Sequence, residues 1–419
     1  MTAPLTVTED AADRTASTAT LVERYRPVFD EIGRGAAARE NDRRLPFAEV
    51  ELLRASGFTR VTLPRDLGGE GADHLTLFEL LAELARRDPN LAQLLRSHFA
   101  FVDRTLHAGA PSAIRARLAR IADGAIHGNA TFERGPAGVG AYATTLSRDD
   151  RGWRLDGRKY YSTGTLFADV VGVLAVPDAT TGLGPDPVSV LVATDAPGLT
   201  RVDDWDGFGQ RMTGSGSTIF DGVRVAEGDV LTRSAVPGHA GAFVQLVLLA
   251  ALTGIGRAVV DDATRFVRER TRSYSHASAD RPRHDPIVQE VVGDLSAASF
   301  GADAALSRAV AALQRAADAQ HPDSSTPCGD EDRAEAVVAA DLATAQAQLV
   351  IIPAVLKAAT DLFEVGGASA LGGQLALDRH WRNARALASH NPARYKARIV
   401  GDHLVNTTPI VAWWTSGEA

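Results

Sequence analysis

Asp203 to Val225 reads DDWDGFGQRMTGSGSTIFDGVRV. Glycines at 207, 209, 214 and 216 make this a loop whose backbone amides are able to approach a ligand closely. The spacing is not a GxGxxG set between a strand and a helix, so a Rossmann nucleotide fold fails its context test. Trp205 and Phe208 are placed to wall an aromatic cofactor or substrate, although packed core aromatics explain them as readily.

Working outward from this loop, three regions differ in period. Residues 126 to about 232 read as strands, with apolar runs such as Val170–Val176 and Val188–Ala193 separated by Gly, Asp and Pro turns. Trp153–Gly157 reads as a strand running into a tight turn. Residues 20 to about 125 are helical in pattern: Leu52, Leu53, Leu77, Leu80, Leu81 and Leu84 recur at helical spacing. Pro64 and Gly68–Gly69 break that pattern, and Asp88–Pro89 reads as an N-cap followed by a first-turn proline. Residues 240 to 405 are Ala-rich and helical again, with one polar interruption near 316–334. The order is helices, a β domain, then a helical bundle. The expected divisions are a flexible arm over 1–20, a helical domain over 21–125, a β domain over 126–235 and a helical bundle over 236–419.

With 419 residues, 45% of them hydrophobic, the chain has enough apolar material for a large core in several subdomains. A net charge of −8 argues against a nucleic-acid partner and against a polybasic membrane anchor. The longest apolar run, Phe243 to Leu252, reads as a buried helix and not as a membrane span. The first residues lack the basic start and apolar stretch of a signal peptide. The single cysteine, Cys328, makes neither an internal disulfide nor a cysteine metal cluster, and no metal is expected. These features together point to the cytoplasm.

Four further strings invite a functional reading. Val61 to Asp73, VTLPRDLGGEGAD, is an extended segment ending in a glycine turn. Gly157 to Asp169, GRKYYSTGTLFAD, brings hydroxyls to a strand end, where they can donate to the edge of a bound ring; an ordinary β-edge reads as well. Phe363 to Arg385 holds a Gly366–Gly367 turn whose amides suit a phosphate, followed by a cationic helix. Ser389–His390–Asn391–Pro392 interrupts a helical pattern, and a lone histidine there is more often structural than catalytic.

Five strings in order resemble the acyl-CoA dehydrogenase superfamily: LPRDLGGEGAD, GNATFE, GRKYYSTGTLFAD, DDWDGFGQRMTGSGST and DRHWRNARALASHNPARYK. The resemblance is nearest to its flavin-dependent monooxygenase branch, which includes the dibenzothiophene monooxygenases and sulfur-acquisition oxidoreductases. It implies an α+β, mainly α fold: an N-terminal helical domain, a central β-barrel-like domain and a C-terminal four-helix bundle, usually assembled as a homotetramer. It implies reduced FMN in preference to FAD, supplied by a separate NAD(P)H-dependent flavin reductase. A C4a-hydroperoxyflavin formed with O2 would then oxygenate a small organic substrate at sulfur, or at an amine nitrogen.

The family's dehydrogenases carry a Tyr-Glu-Gly string whose glutamate removes a proton. This chain has His390 and Asn391 there, and an amide is no base. The monooxygenase branch places a histidine at the position of His390, beside the flavin, where it can assist oxygen chemistry. Thr163 matches a hydroxyl facing the flavin that donates to N5 or a peroxide, and Asn129 an amide near flavin and substrate. Trp205 matches a pocket wall, Arg272 a phosphate-binding arginine, and Ser215 and Ser217 the flavin-contacting loop. Gly366, Gly367 and Ser369 form the phosphate-side turn, Ser369 replacing an arginine of the dibenzothiophene enzymes. Gln93 and Ser97 replace their pocket histidine and tyrosine, with His98 next door, which leaves the substrate open and weakens the case for dibenzothiophene itself. The alternatives are an FAD-dependent acyl-CoA dehydrogenase and a non-catalytic flavin-binding protein.

Overall fold

Apolar positions at helical spacing create the first layer. The structure, a computed structural model, describes residues 8–107, 111–135, 141–231, 238–320 and 329–410; Cys328 and residues 321–328 of the polar interruption lie outside them. The N-terminal helices are α1 (Thr8–Arg34), α2 (Ala36–Asp42), α3 (Phe47–Ala55), α4 (His74–Arg87), α5 (Pro89–Leu94), α6 (Arg96–Leu106) and α7 (Pro111–Ala122). Helix α1 begins at Thr8, inside the stretch read as an arm. Asp88 caps α5 as expected: its carboxylate accepts from the Asn90 amide at 3.0 Å, with Pro89 in the first turn. The same carboxylate accepts from buried Arg39 at 2.9 Å, so one side chain ends a helix and neutralises a cation.

The β domain comprises β1 (His127–Ala130), β2 (Thr145–Asp149), β3 (Gly152–Lys159), β4 (Val170–Pro177), β5 (Val188–Ala193), β6 (Leu199–Arg201), β7 (Thr218–Val225) and β8 (Val230–Leu231). The strand order is β6-β7-β3-β2-β4-β5-β8, and β1 lies parallel to β4. Inward residues such as Leu146, Leu155, Val171, Val173, Val190 and Phe220 form its own core. The tight turn expected at Gly157 is instead a bulge inside β3. The register against β7 slips between Leu155 and Gly157, and Gly157 has φ 149°. A Cβ there would come within 2.6 Å of Thr144, so glycine lets the strand bend without leaving the sheet.

The C-terminal helices are α8 (Ala240–Glu269), α9 (Pro286–Gln320), α10 (Asp330–Asp361), α11 (Asp378–Ser389) and α12 (Ala393–Asn406). By length and composition α8 and α10 are apolar enough to cross a bilayer, more than Phe243–Leu252 alone suggests. Helix α8 is instead the shared core element: α4, α9, α10 and α11 pack around it, and 83% of its most apolar window is buried. At Gly254 a Cβ would sit 2.5 Å from the Ala82 carbonyl, so glycine sets the close approach of α8 to α4. One continuous core therefore runs from Phe58, Leu80 and Phe99 through Leu246, Leu249 and Ile255 to Ile351. The site forms where α5, α6, the β-domain loops and the end of α11 meet this core.

Candidate active site

The glycine loop is held by packing. Gly207 leaves room for the Trp205 ring, which a Cβ would meet at 2.1 Å, and a Cβ on Gly209 would meet the Arg382 carbonyl of α11 at 2.0 Å. Trp205 donates from its indole to the Gly209 carbonyl at 3.2 Å and meets Tyr161 edge to face. The Asn383 side-chain oxygen of α11 accepts from the Gln210 amide at 2.6 Å, tying the loop to the bundle. Gln210 and Tyr161 both hold left-handed backbone, at φ 51° and 58°. Such conformations cost about 1 kcal/mol or more and cluster at functional sites.

A chain of hydroxyls follows. Thr213 donates to the Gln210 carbonyl at 2.9 Å, which uses its only proton. Ser215, 2.6 Å from Thr213, must then donate to it, and Thr163, 2.8 Å from Ser215, must donate to Ser215. The order is Thr163 to Ser215 to Thr213 to Gln210. Thr163 is left as an acceptor, not the free donor the resemblance implied. Ser217 is likewise committed: it donates to Asp204 at 2.7 Å and accepts from Arg158 at 3.0 Å. Buried polar atoms without a partner among the described residues gather nearby: the Ser162 hydroxyl, the Gln93 oxygen and both ends of the Gln210 amide. Such groups are met by ordered water or by a ligand, and the alternating N–H and C=O edge of a flavin ring suits this set. Nothing local in the sequence marks Gln210; its signal is the strained backbone and the orphaned amide.

His390 caps α11, and the turn after it is tethered twice. Asn391 donates its side-chain amide to Gln245 of α8, and its carbonyl accepts from Gln348 of α10 at 2.9 Å. Asn391 thus fixes the turn that carries His390. The His390 ring is hemmed in by protein, which pushes its pKa down to about 3 with help from the Arg96 charge, yet it keeps open surface. It is therefore neutral at pH 7, and it presents an exposed ring at the end of α11. No carboxylate figures among the groups that act on it.

The α5–α6 junction forms the facing wall. Leu94 touches Gly164, beside Thr163: a Cβ on Gly164 would meet the Leu94 carbonyl at 2.3 Å. Gln93 is buried, whereas Arg96 and Ser97 are only partly so. His98 is structural. Its Nε2 donates to the Thr59 carbonyl at 2.6 Å, its Nδ1 accepts from the His127 amide at 3.2 Å, and burial pushes its pKa down to about 4. Both nitrogens are spent, so His98 has nothing to offer a substrate. Asn129, on β1, accepts from Thr131 at 2.6 Å and exchanges backbone bonds with the Thr165 hydroxyl; its amide nitrogen has no partner among the described residues.

The phosphate-side residues lie elsewhere. Arg270 donates to the Val365 carbonyl at 3.3 Å, and Tyr274 packs on Gly367, so the segment holding Arg272 meets the Gly366–Gly367–Ser369 turn. Arg272, Gly367 and Ser369 are exposed. This group follows the C-terminal end of α8, whereas Gln245, beside the His390 turn, is near its start. At about 1.5 Å per residue the two ends are about 37 Å apart. The His390 turn and the Arg272 group thus lie toward opposite ends of α8, and α11 spans between them, its His380 meeting Asp262 of α8 at 2.7 Å.

A second buried polar cluster lies away from the loop. Asp103 of α6 accepts from His74 Nε2 at 2.7 Å and His239 Nε2 at 3.0 Å, and its carbonyl accepts from His107 Nδ1 at 2.8 Å.

Three family models match in chain order: the acyl-CoA dehydrogenase N-terminal domain over residues 16–125, the middle domain over 134–223 and the C-terminal domain over 246–395. The chain is 30% identical over 386 residues to a dibenzothiophene monooxygenase of Rhodococcus qingshengii, covering 88% of this chain and 89% of that protein. It is 26% identical to a probable FMNH2-dependent monooxygenase, SfnC, of Pseudomonas putida, over 91% of this chain and 93% of that one. The structure of methanesulfinate monooxygenase MsuC from Pseudomonas fluorescens superposes with a TM-score of 0.81 at 26% identity, covering 94% of this chain and 98% of the other.

Proposed function

Because the chain belongs to the acyl-CoA dehydrogenase family, we propose that it is a two-component, FMNH2-dependent monooxygenase that oxygenates a small organosulfur compound. The observation that carries this reading is Asn391 standing where a dehydrogenase needs a carboxylate, its amide spent on Gln245 and its carbonyl on Gln348, with the neutral imidazole of His390 beside it. Its relatives named as monooxygenases support the same reading. Glu364 sits beside Gly366 at the far end of α8, and Asp378 is engaged by Arg382 at 2.8 Å, so neither replaces the missing base. The acyl-CoA dehydrogenase alternative therefore lacks its base.

Reduced FMN, when bound, supplies the oxygen chemistry, a C4a-hydroperoxyflavin that passes one oxygen atom to sulfur. The chain's residues supply the setting. Thr163, fixed as an acceptor, suits the N–H edge of a reduced ring; Gln210 and Ser162 meet the remaining polar edge. His390 is neutral and close by, able to accept or return a proton at an imidazole nitrogen. Asn129 offers its free amide N–H. Trp205 and Tyr161 wall the ring, and the tethers of Asn391 to Gln245 and Gln348 hold the histidine turn in place. A separate NAD(P)H-dependent flavin reductase provides the reduced flavin, in the cytoplasm.

The separation along α8 bears on assembly. The Arg272 group lies exposed at the far end of α8 from the His390 turn, where a second copy has access to it. Exposed apolar side chains on the bundle, Ile287, Phe300 and Leu371 at 66%, 74% and 68%, suit burial in a homotetramer.

Turnover under 18O2 with a flavin reductase tests the reading. One labelled atom in the oxygenated sulfur product, with NAD(P)H consumed in step, is expected. Unlabelled product, or bleaching of bound flavin by an acyl-CoA without oxygen, contradicts it.

A further inference from the structure

Helix α2 is short, yet it grips the glycine loop at several points. Just past its end, Arg43 donates to both oxygens of Asp203 at 2.9 Å and to the Trp205 carbonyl at 3.3 Å. The Glu40 carbonyl accepts from the Arg211 side chain at 3.2 Å. The Glu40 side chain is buried, and both of its oxygens are committed to α11: one accepts from Arg382 at 2.7 Å, the other from the Asn383 amide at 3.3 Å.

That contact decides which way Asn383 faces. A carboxylate only accepts, so the Asn383 nitrogen turns to Glu40 and its oxygen to Gln210, where it accepts from the backbone N–H at 2.6 Å. Reversed, the amide would set N–H against N–H. The bond falls on Gln210, whose left-handed backbone, at φ 51°, persists only where the surroundings impose it. The flavin edge hangs from this turn. Its carbonyl accepts from Thr213 and so ends the hydroxyl chain, and its side-chain amide is buried with no partner among the described residues. The Asp88 carboxylate orients Asn90 in the same way, accepting from its amide at 2.9 Å, and the Asn90 oxygen accepts from the Met212 N–H at 3.4 Å. Two buried carboxylates thus each aim an asparagine, and the asparagines hold the amides on either side of Arg211. The Glu40 arm makes the shorter bond and makes it to the strained residue. A buried ion pair often adds little net stability and serves to specify one geometry.

We propose that Glu40 is a positioning residue of the flavin site: through Asn383 it holds the left-handed turn at Gln210, and so fixes the Gln210 amide and the direction of the hydroxyl chain that leaves Thr163 an acceptor. This rests on the reading of the site as one that takes reduced FMN. Glu40 is spent on Arg382 and Asn383 and exchanges no proton in the reaction.

A polarity swap tests it. Glu40→Gln keeps an oxygen for Arg382 but turns an amide nitrogen on Asn383, which must reverse and lose Gln210. Asn383→Asp sets two carboxylates face to face. The two changes together restore a donor at 40 and an acceptor at 383 that still holds Gln210. Each single variant weakens reduced FMN about ten-fold in anaerobic fluorescence titration, speeds hydrogen exchange over residues 207–217 of the flavin-free chain, and shortens the life of the oxygenated-flavin band. The double variant recovers most of all three, which independent defects would not do. Single variants that lose stability but keep wild-type FMN affinity per folded molecule overturn the proposal, because Glu40 would then serve the fold alone. A double variant no better than the worse single also overturns it. Should Glu40→Gln not fold, Asn383→Ala leaves the Glu40–Arg382 pair in place, and wild-type exchange and FMN affinity there overturn the proposal as well. A wild type that shows the FMN coupling yet oxygenates no sulfur compound supports the positioning role and sinks the monooxygenase reading. A wild type that oxygenates one, with single variants that bind FMN and react as it does, gives the reverse.

Discussion

Two buried polar groups lie along α6, about 10 Å apart by helical rise, and they are built on opposite terms. Around Asp103 the buried charge is answered by two imidazoles, although the Nδ1 atoms of His74 and His239 have no partner among the described residues. Burial alone would push its carboxyl up, but the hydrogen bonds from His239 and His74 outweigh that and hold it well below the carboxylate range. Burial likewise pulls His74 down, yet the Asp103 partner raises it overall. At the other end of α6 the groups are more open: the His390 imidazole is exposed and neutral, Arg96 is partly buried, and the Gln93 oxygen and the Gln210 side-chain amide have no partner among the described residues. A protein tolerates buried polarity either by closing the network or by leaving it for a ligand. The first kind holds the fold and the second does chemistry.

The comparison breaks most sharply at Asp103. Asp103→Asn removes the buried charge that binds two histidines and is expected to destabilise the fold by about 3–5 kcal/mol in denaturant titration. Activity per folded molecule should change little. His390→Asn should do the opposite, with stability kept and coupled oxygenation lost. A stable Asp103→Asn protein would show that the closed network is not structural.

Acid probes the neutral histidines. His98 and His127 are held below their ordinary pKa by burial, His98 at about 4. The unfolded chain takes up protons near pH 6.5 while the folded one does not. Their stabilising contribution is therefore complete above pH 6.5 and lost as pH falls toward the folded value. The loss is about 1.4 kcal/mol per pH unit for each histidine. Stability measured from pH 7 to 4.5 should fall with that slope, and a flat profile contradicts the buried neutral assignment. The smallest effect is at Thr163. Thr163→Val removes one acceptor and one link of the hydroxyl chain, costing about 1 kcal/mol, a several-fold loss of reduced-FMN affinity. Thr163→Ser should retain it.

Much of the architecture was legible because period survives in sequence. The helical leucines, the alternating strands and the Asp88–Pro89 cap each carry their own local signal. Gly157 did not, because a turn glycine and a bulge glycine look alike until β7 supplies the register. His98 and Ser97 share a helix turn, and only the Thr59 carbonyl and His127 amide mark the histidine as spent. The flavin strings were read as one site, while the length of α8 places their two groups at opposite ends of the chain's bundle.

The central claim is that the site at His390 supports oxygen activation by a reduced flavin. Anaerobic protein mixed with FMNH2 and then with oxygenated buffer, followed by absorbance, tests it most directly. A long-lived oxygenated-flavin band that disappears in His390→Ala is the predicted result. Immediate oxidised FMN with stoichiometric hydrogen peroxide, equal in both proteins, would contradict it.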